Sequence, residues 1–247
     1  MKQLAHDDPR AIALVSAIRR GDVAAVQRQL VDDPSLVSAR IGDAQGASRS
    51  LLHIVADWPG HVPHGAALVT ILVRAGADPD APMIHARPTG APETPLHWAA
   101  SSDDVAVLDA LLDHGANIEA PGAVHTGGTA MSDAVVFAQW NAARRLLERG
   151  AATTIWQAAA LGLMDRVEAA CTGTPTPTAR DVTNAFWHAC RGGQRATAEL
   201  LLSRGADLHW VGYDRRTPID VAQESGDVTL VAWLVAQGAA RASGGQR

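Results

Sequence analysis

A Leu-rich run that closes on Gly-Ala recurs five times, at Gly76-Ala77, Gly115-Ala116, Gly150-Ala151, Gly205-Ala206 and Gly238-Ala239. Successive glycines lie 39, 35, 55 and 33 residues apart, and the long step divides into 23 and 32 if a degenerate copy ends near Gly173. No other feature restricts the fold so strongly. Self-similarity at such a period belongs to stacked repeats, where one small unit cannot bury its apolar face alone and a row of units can. The glycine also has a local cause. A helix ends most easily on a left-handed residue, and a residue without a Cβ enters that conformation with least strain.

Each run has a partner upstream. The clearest is Thr94-Pro95-Leu96-His97-Trp98-Ala99-Ala100, with weaker copies at Ser50-Leu51-Leu52-His53, Thr129-Ala130-Met131-Ser132, Asn184-Ala185-Phe186-Trp187 and Thr217-Pro218-Ile219-Asp220. Thr94 can accept from the free N–H groups of a first helical turn, and Pro95 sits at N1, where its missing N–H costs nothing. Leu96, Ala99 and Ala100 make a narrow stripe that lets neighbouring helices approach closely. Gly21-Asp22, Gly193-Gln194 and Gly226-Asp227 mark the turn to a second helix, with Asp as N-cap in two of them.

The string from Thr94 to Ala100 resembles the Thr-Pro-Leu-His signature of ankyrin repeats, and the resemblance extends in register over nearly the whole chain. It implies an all-α ankyrin-repeat solenoid of about seven helix-turn-helix units with projecting hairpin-like loops. A single repeat domain is expected over 1–240, in units at 10–36, 48–78, 93–117, 128–151, 154–173, 183–207 and 216–239, with 241–247 a disordered tail. The polar first and last units, with Arg19, Arg20, Asp32, Asp33, Asp227 and Gln237, are expected to act as caps. Three connections depart from the pattern: 57–65 inside the second unit, the Pro- and Gly-rich 79–93, and the Thr-Pro run 172–178. The second is expected to project as a mobile loop and the third to be non-helical.

Composition narrows the function. The chain has 47% apolar and 19% charged residues, enough to build a core. Its net charge of −5 argues against a general affinity for nucleic acid or anionic membrane. The first 21 residues hold no apolar run of the secretory kind, and no stretch approaches the ~20 apolar residues of a membrane span. A soluble, cytoplasmic protein follows as the expectation. Cys171 and Cys190 sit among small apolar residues and read as buried thiols rather than as a disulfide.

The histidines have mostly structural readings. In ankyrin repeats the signature His hydrogen-bonds neighbouring loops, which implies the same for His53 and His97. Asp57, His61 and His64 are the nearest approach to a metal cluster, but Pro59 and Pro63 keep the segment extended; a turn that packs Trp58 onto its unit is the expected structure, and no metal or cofactor is expected. No nucleophile triad or phosphate loop is present, so the chain is expected not to be an enzyme.

Tryptophan is in surplus: seven of ten aromatic residues. The residue after the signature His is expected to face the concave side or its edge, and runs Ser16, Ile54, Trp98, Asp133, Gln157, His188, Val221. With the next exposed pairs, this puts Trp58, Trp98, Ser101, Asp133, Gln157, His188 and Arg191 along one groove, as a candidate binding surface. The alternative is that Trp98 and Trp187 only cover seams between units. The resemblance implies a non-catalytic module that binds a protein partner through groove and loop tips. A small-molecule binder or enzyme working around Trp98, Asp133 and His188 is the rival reading.

Overall fold

The computed structural model describes residues 3–85 and 91–241. Among them fourteen α-helices pair into seven hairpins, and the chain divides into two compact units, Met1–Ala151 and Ala152–Arg247. The first unit holds four hairpins: α1 (Pro9–Arg19) and α2 (Val23–Asp32), α3 (Leu51–Ala56) and α4 (Gly65–Arg74), α5 (Pro95–Ser101) and α6 (Val105–Asp113), α7 (Ala130–Val136) and α8 (Trp140–Glu148). The second holds three: α9 (Ile155–Ala160) and α10 (Met164–Thr172), α11 (Ala179–Arg191) and α12 (Arg195–Ser203), α13 (Pro218–Ser225) and α14 (Val228–Ala236).

Within each unit first helices pack on first helices, α1 on α3 on α5 on α7 and α9 on α11 on α13, while second helices form a parallel row. The residues at these contacts are small or branched and fully buried, among them Leu51, Ile54, Leu96, Ala99, Leu111 and Ala134 in the first unit. Leu111 is completely covered while Leu112 is half-buried. Asp22 and Asp104 cap second helices in the first unit, accepting from the N–H groups of Ala25 and Val107 at 2.9 and 3.1 Å. Asp227 does the same for Thr229 and Leu230 at 2.9 and 3.1 Å. The recurrent glycines are left-handed, Gly115 at φ 90° and Gly205 at φ 90°, whereas Gly173 at φ −79° ends α10 without that turn.

The signature side chains tie hairpin to hairpin. His53 Nδ1 accepts the Ser50 N–H at 3.3 Å, and its Nε2 donates to the Glu93 carbonyl at 3.2 Å. His97 repeats this, accepting from the Thr94 N–H at 3.1 Å and donating to the Gly128 carbonyl at 3.3 Å. A carbonyl can only accept, so both rings are neutral with the proton on Nε2. Trp187 performs the same reach in the second unit: its Nε1 donates to the Arg216 carbonyl at 3.0 Å.

Several features differ from the sequence expectation. A three-stranded sheet, β1 (Gln3–Ala5) parallel to β2 (Arg40–Gly42) and β2 antiparallel to β3 (Ser48–Ser50), is added to the first unit. The described part of 79–93 is tied down rather than projecting. Ile84 and Ser48 exchange backbone hydrogen bonds at 2.8 and 2.9 Å, Met83 donates to the Glu93 carbonyl at 2.7 Å, and the buried Arg40 reaches the Pro82 carbonyl. Residues 86–90 of that segment, and 242–247 of the expected tail, lie outside the described residues. Trp58 does not pack onto its unit: it is 78% exposed. Its turn is nonetheless seated, because His61 donates its N–H to Asp104 at 2.6 Å and the Pro63 carbonyl lies 2.1 Å from where a Cβ on Gly21 would stand. Last, α14 is not a polar cap, since Val228 and Val235 are 77% and 59% exposed. Of the run 172–178, Thr172 still belongs to α10 and only 173–178 is free of helix; both cysteines are free thiols, Cys190 buried and Cys171 partly exposed. No helix of the described residues is long and apolar enough to cross a membrane.

Candidate functional site

In the first unit the candidate surface centres on Trp98. The side chain is half-buried on α5, with its ring edge-on to His53 at 5.0 Å and the Arg49 guanidinium 5.9 Å above it. Its indole N–H faces the Glu93 carboxylate and favours the charged form of that acid. Glu93 is half-buried, and burial raises its pKa above the ordinary carboxylate value. Asp133 on α7 is the deep member of the pair, 1% exposed, and neither of its oxygens has a hydrogen-bond partner. Its pKa is pushed up to about 8, first by burial and then by the charge of Glu93; the Val124 N–H pulls the other way without completing a hydrogen bond. The 121–128 turn and the end of α7 border this place, with Val124 55% and Phe137 40% exposed and the His125 ring 5.5 Å from that of Phe137.

The other expected residues of this unit contribute less. Ser101 turns its hydroxyl back to the Trp98 carbonyl at 3.0 Å. Trp58 stands in solvent, and its neighbour Asp57 makes the connection to the site, holding Arg49 at 3.0 Å and Arg19 at 3.5 Å.

The second unit holds the remaining three. Gln157 stands one place earlier than the sequence reading put it: it is the N3 residue of α9, and its Oε1 accepts the Thr154 N–H at 2.7 Å. It thus occupies the His place and closes a capping box. His188 is 3% exposed between Trp156 and Trp187, with ring centroids 4.6 and 4.9 Å away, and its Nδ1 has no partner. Burial, reinforced by the Arg191 charge, lowers its pKa to about 3, so the ring is neutral. The half-buried Arg191 lies 5.7 Å over the Trp187 ring, and burial lowers its pKa.

The position after the signature His is therefore a seam position more than a rim position. Ile54, Asp133, His188 and Val221 are all buried there, while Ser16 and Trp98 keep a half-open face. Sequence reasoning missed Glu93, although it precedes the Thr-Pro signature directly, and Asn184, whose Oδ1 is likewise buried without a partner. Asn184 lies one helical turn before His188, on the same face of α11, a spacing visible in the sequence. It also missed Tyr213, whose ring is 5.5 Å from Trp187 and 6.0 Å from His188. Among the described residues no three His, Cys, Asp or Glu side chains converge as a metal site.

Comparison with known proteins finds ankyrin repeats in part of the chain. Residues 52–157 match the family model described as ankyrin repeats (3 copies). Over 147 residues, 59% of the chain, it is 31% identical to the Caenorhabditis elegans transient receptor potential cation channel subfamily A member 1 homolog, of whose length those residues span 10%. Among solved structures the chain is similar to the human ASB11 ankyrin repeat domain, at 22% identity and a TM-score of 0.41, over 78% of this chain and 71% of that one.

Proposed function

Because the chain carries ankyrin repeats, which serve as protein-interaction modules, we propose that it binds a protein partner without catalysis and that its first unit takes a basic segment of that partner at Trp98, Glu93 and Asp133. One observation carries the reading: Asp133 is a wholly buried carboxylate with no partner, beside a second carboxylate that reaches the surface. Burying an acid without a counter-charge is costly, and a cation seated on Glu93 relieves both groups at once. The Trp98 face supplies the apolar anchor that interface hot spots favour. Ser101 hydrogen-bonds its own helix and adds little to this contact.

The cation also changes the protonation of the pair. Asp133 holds a proton below about pH 8, and an arriving ammonium or guanidinium favours the charged form, so binding releases a proton and tightens as pH rises towards 8. The test is selection from a library of short peptides of varied charge. Peptides with Lys or Arg next to an apolar residue should be enriched, should bind more tightly at pH 8 than at pH 6, and should lose affinity with Trp98→Ala and Glu93→Gln. Equal selection of acidic and basic peptides, or undiminished binding by both variants, sinks the proposal.

A small-molecule reading has support of its own in the second unit. There His188 Nδ1 lies unpartnered among Trp156, Trp187 and Tyr213, with the unpartnered Asn184 Oδ1 one turn earlier on α11, which suits a flat ligand with a hydrogen-bonding edge. A thermal-shift screen of heteroaromatic compounds against wild type and Asn184→Leu decides it: hits that survive the substitution argue against this site.

A further inference from the structure

On the exposed side of α1, side chains at 12, 15, 16, 19 and 20 recur at one-turn spacing and face the sheet residues Ile41 and Arg49 across a cavity of about 520 Å³. Its floor is apolar, made by Ile12, Val15 and Ile41, and Ile12 is 54% exposed there. Its rim carries three guanidinium groups, Arg19, Arg20 and Arg49, with His6 beside them and no carboxylate in the lining. For a chain of net charge −5 this is a local reversal of sign.

The three arginines are lightly engaged. Arg19 and Arg49 both turn to one oxygen of Asp57, at 3.5 and 3.0 Å, so their heads lie near enough to share it. Arg20 holds only the neutral Ser16 hydroxyl. Each guanidinium has five N–H donors in a planar fork suited to carboxylate or phosphate, so most donors remain available. One carboxylate against three guanidiniums leaves an excess of positive charge above an apolar floor, in a volume within the range of small-ligand sites.

We propose that this cavity binds an organic anion, its carboxylate or phosphate held by Arg19, Arg20 and Arg49 and its apolar stem laid along Ile12 and Val15. The anion can be a free small molecule or the acidic side chain of a protein, and the two are separable by experiment. The site is distinct from the Glu93–Asp133 pair, of opposite sign; Arg49 alone touches both surfaces, so the test leaves Arg49 unchanged.

The ¹⁵N-labelled full chain is titrated with hexanoate, hexyl phosphate, hexan-1-ol, hexylamine and the acetylated tetrapeptide Leu-Glu-Leu-Glu. Amide shifts of Ile12, Val15, Ser16, Arg19 and Ile41 report the site. The anions should bind roughly tenfold more tightly than hexan-1-ol, as one charge-assisted hydrogen bond supplies, and hexylamine should not bind. Arg20→Gln should weaken the anions several-fold, Ile12→Asp should abolish their binding, and Arg28→Gln, which removes an equal charge outside the cavity, should change nothing. Tighter binding of hexanoate or hexyl phosphate than of the tetrapeptide identifies a small-molecule site; the reverse order identifies an acidic protein segment. Equal binding of hexan-1-ol and hexanoate, or equal losses in Arg20→Gln and Arg28→Gln, overturns the proposal. Failure here leaves the basic-peptide test of the other site untouched.

Discussion

Replacing Asp133 by Asn should stabilise the protein more and more as pH rises. The folded chain holds the Asp133 proton up to about pH 8, whereas the unfolded chain releases it near 3.8. Between those values the folded state binds more protons than the unfolded one, so stability falls with rising pH. Each pH unit above 3.8 removes ~1.4 kcal/mol, which makes the unmatched carboxyl cost roughly 2 kcal/mol at pH 5 and roughly 4 kcal/mol at pH 7. Asparagine carries no such dependence. Its own buried amide costs about 1–3 kcal/mol at every pH, so the absolute stability of the variant is less informative than its slope. From pH 5 to pH 7 the difference between the two proteins should move in the variant's favour by about 2–3 kcal/mol. With a urea slope of about 2 kcal/mol per molar, that is a relative shift of roughly 1 M in the unfolding midpoint. Urea titrations of both proteins at pH 5, 6, 7 and 8, followed by helical circular dichroism, measure it. Midpoints that move in parallel across this range would refute the reasoning, for Asp133 would then have a partner or a solvated carboxylate.

Three further outcomes follow from particular contacts. Leu111→Ala empties a fully buried position between second helices and should cost ~2–5 kcal/mol in urea unfolding. His53 and His188 are held neutral by burial, with pKa values of about 3 against an ordinary 6.5, so each contributes stability that is complete above pH 6.5 and declines as pH falls from there towards 3; their ring-proton resonances should show no titration between pH 5 and 8. Gly192→Ala would put a Cβ 2.0 Å from the Ala160 carbonyl, where α9 and α11 meet, and should cost ~1–3 kcal/mol of stability in urea unfolding.

What the sequence made legible were the parts governed by local backbone rules. Thr-Pro at a helix start, Gly after a helix end and Asp at the second-helix cap act over a few residues, and α5, α6, α13 and α14 stand where those signals put them. The sheet of β1, β2 and β3 was not legible, because Gln3 and Arg40 pair across 36 intervening positions with no periodic pattern to announce it. Nor was the anchoring of 79–85: its Pro-rich composition predicts an open loop, and what holds it is a buried Arg40 that the sequence cannot place beside Pro82. Helix α11 begins a turn and a half before the signature string, because Thr178 and Asp181 close a capping box there. At the candidate site, the sequence singles out Trp98 and Asp133 as candidates but not how far each is exposed. Whether the residue after the signature His meets solvent or a neighbouring hairpin depends on the side chains opposite, and those come from another repeat.

That position separates structure from function in this fold. The side chain before it is committed: His53 and His97 at N3, and Trp187 further along α11, reach a backbone carbonyl of the next hairpin, and Gln157 at N3 closes its own cap. The residue that follows has no such duty, and the seam is best filled by an aliphatic side chain, as Ile54 and Val221 show with complete burial. Asp133 and His188 place polar atoms in equivalent seams with nothing to bond to. A buried polar atom without a partner costs about 1–3 kcal/mol, and more for a carboxylate, so Val or Ile would hold either seam better. Nothing in the packing of either unit requires the polar choice. That cost falls on Asp133 beside Trp98 and on His188 beside Trp187, and it is the physical ground on which the ligand contacts proposed at these two places rest.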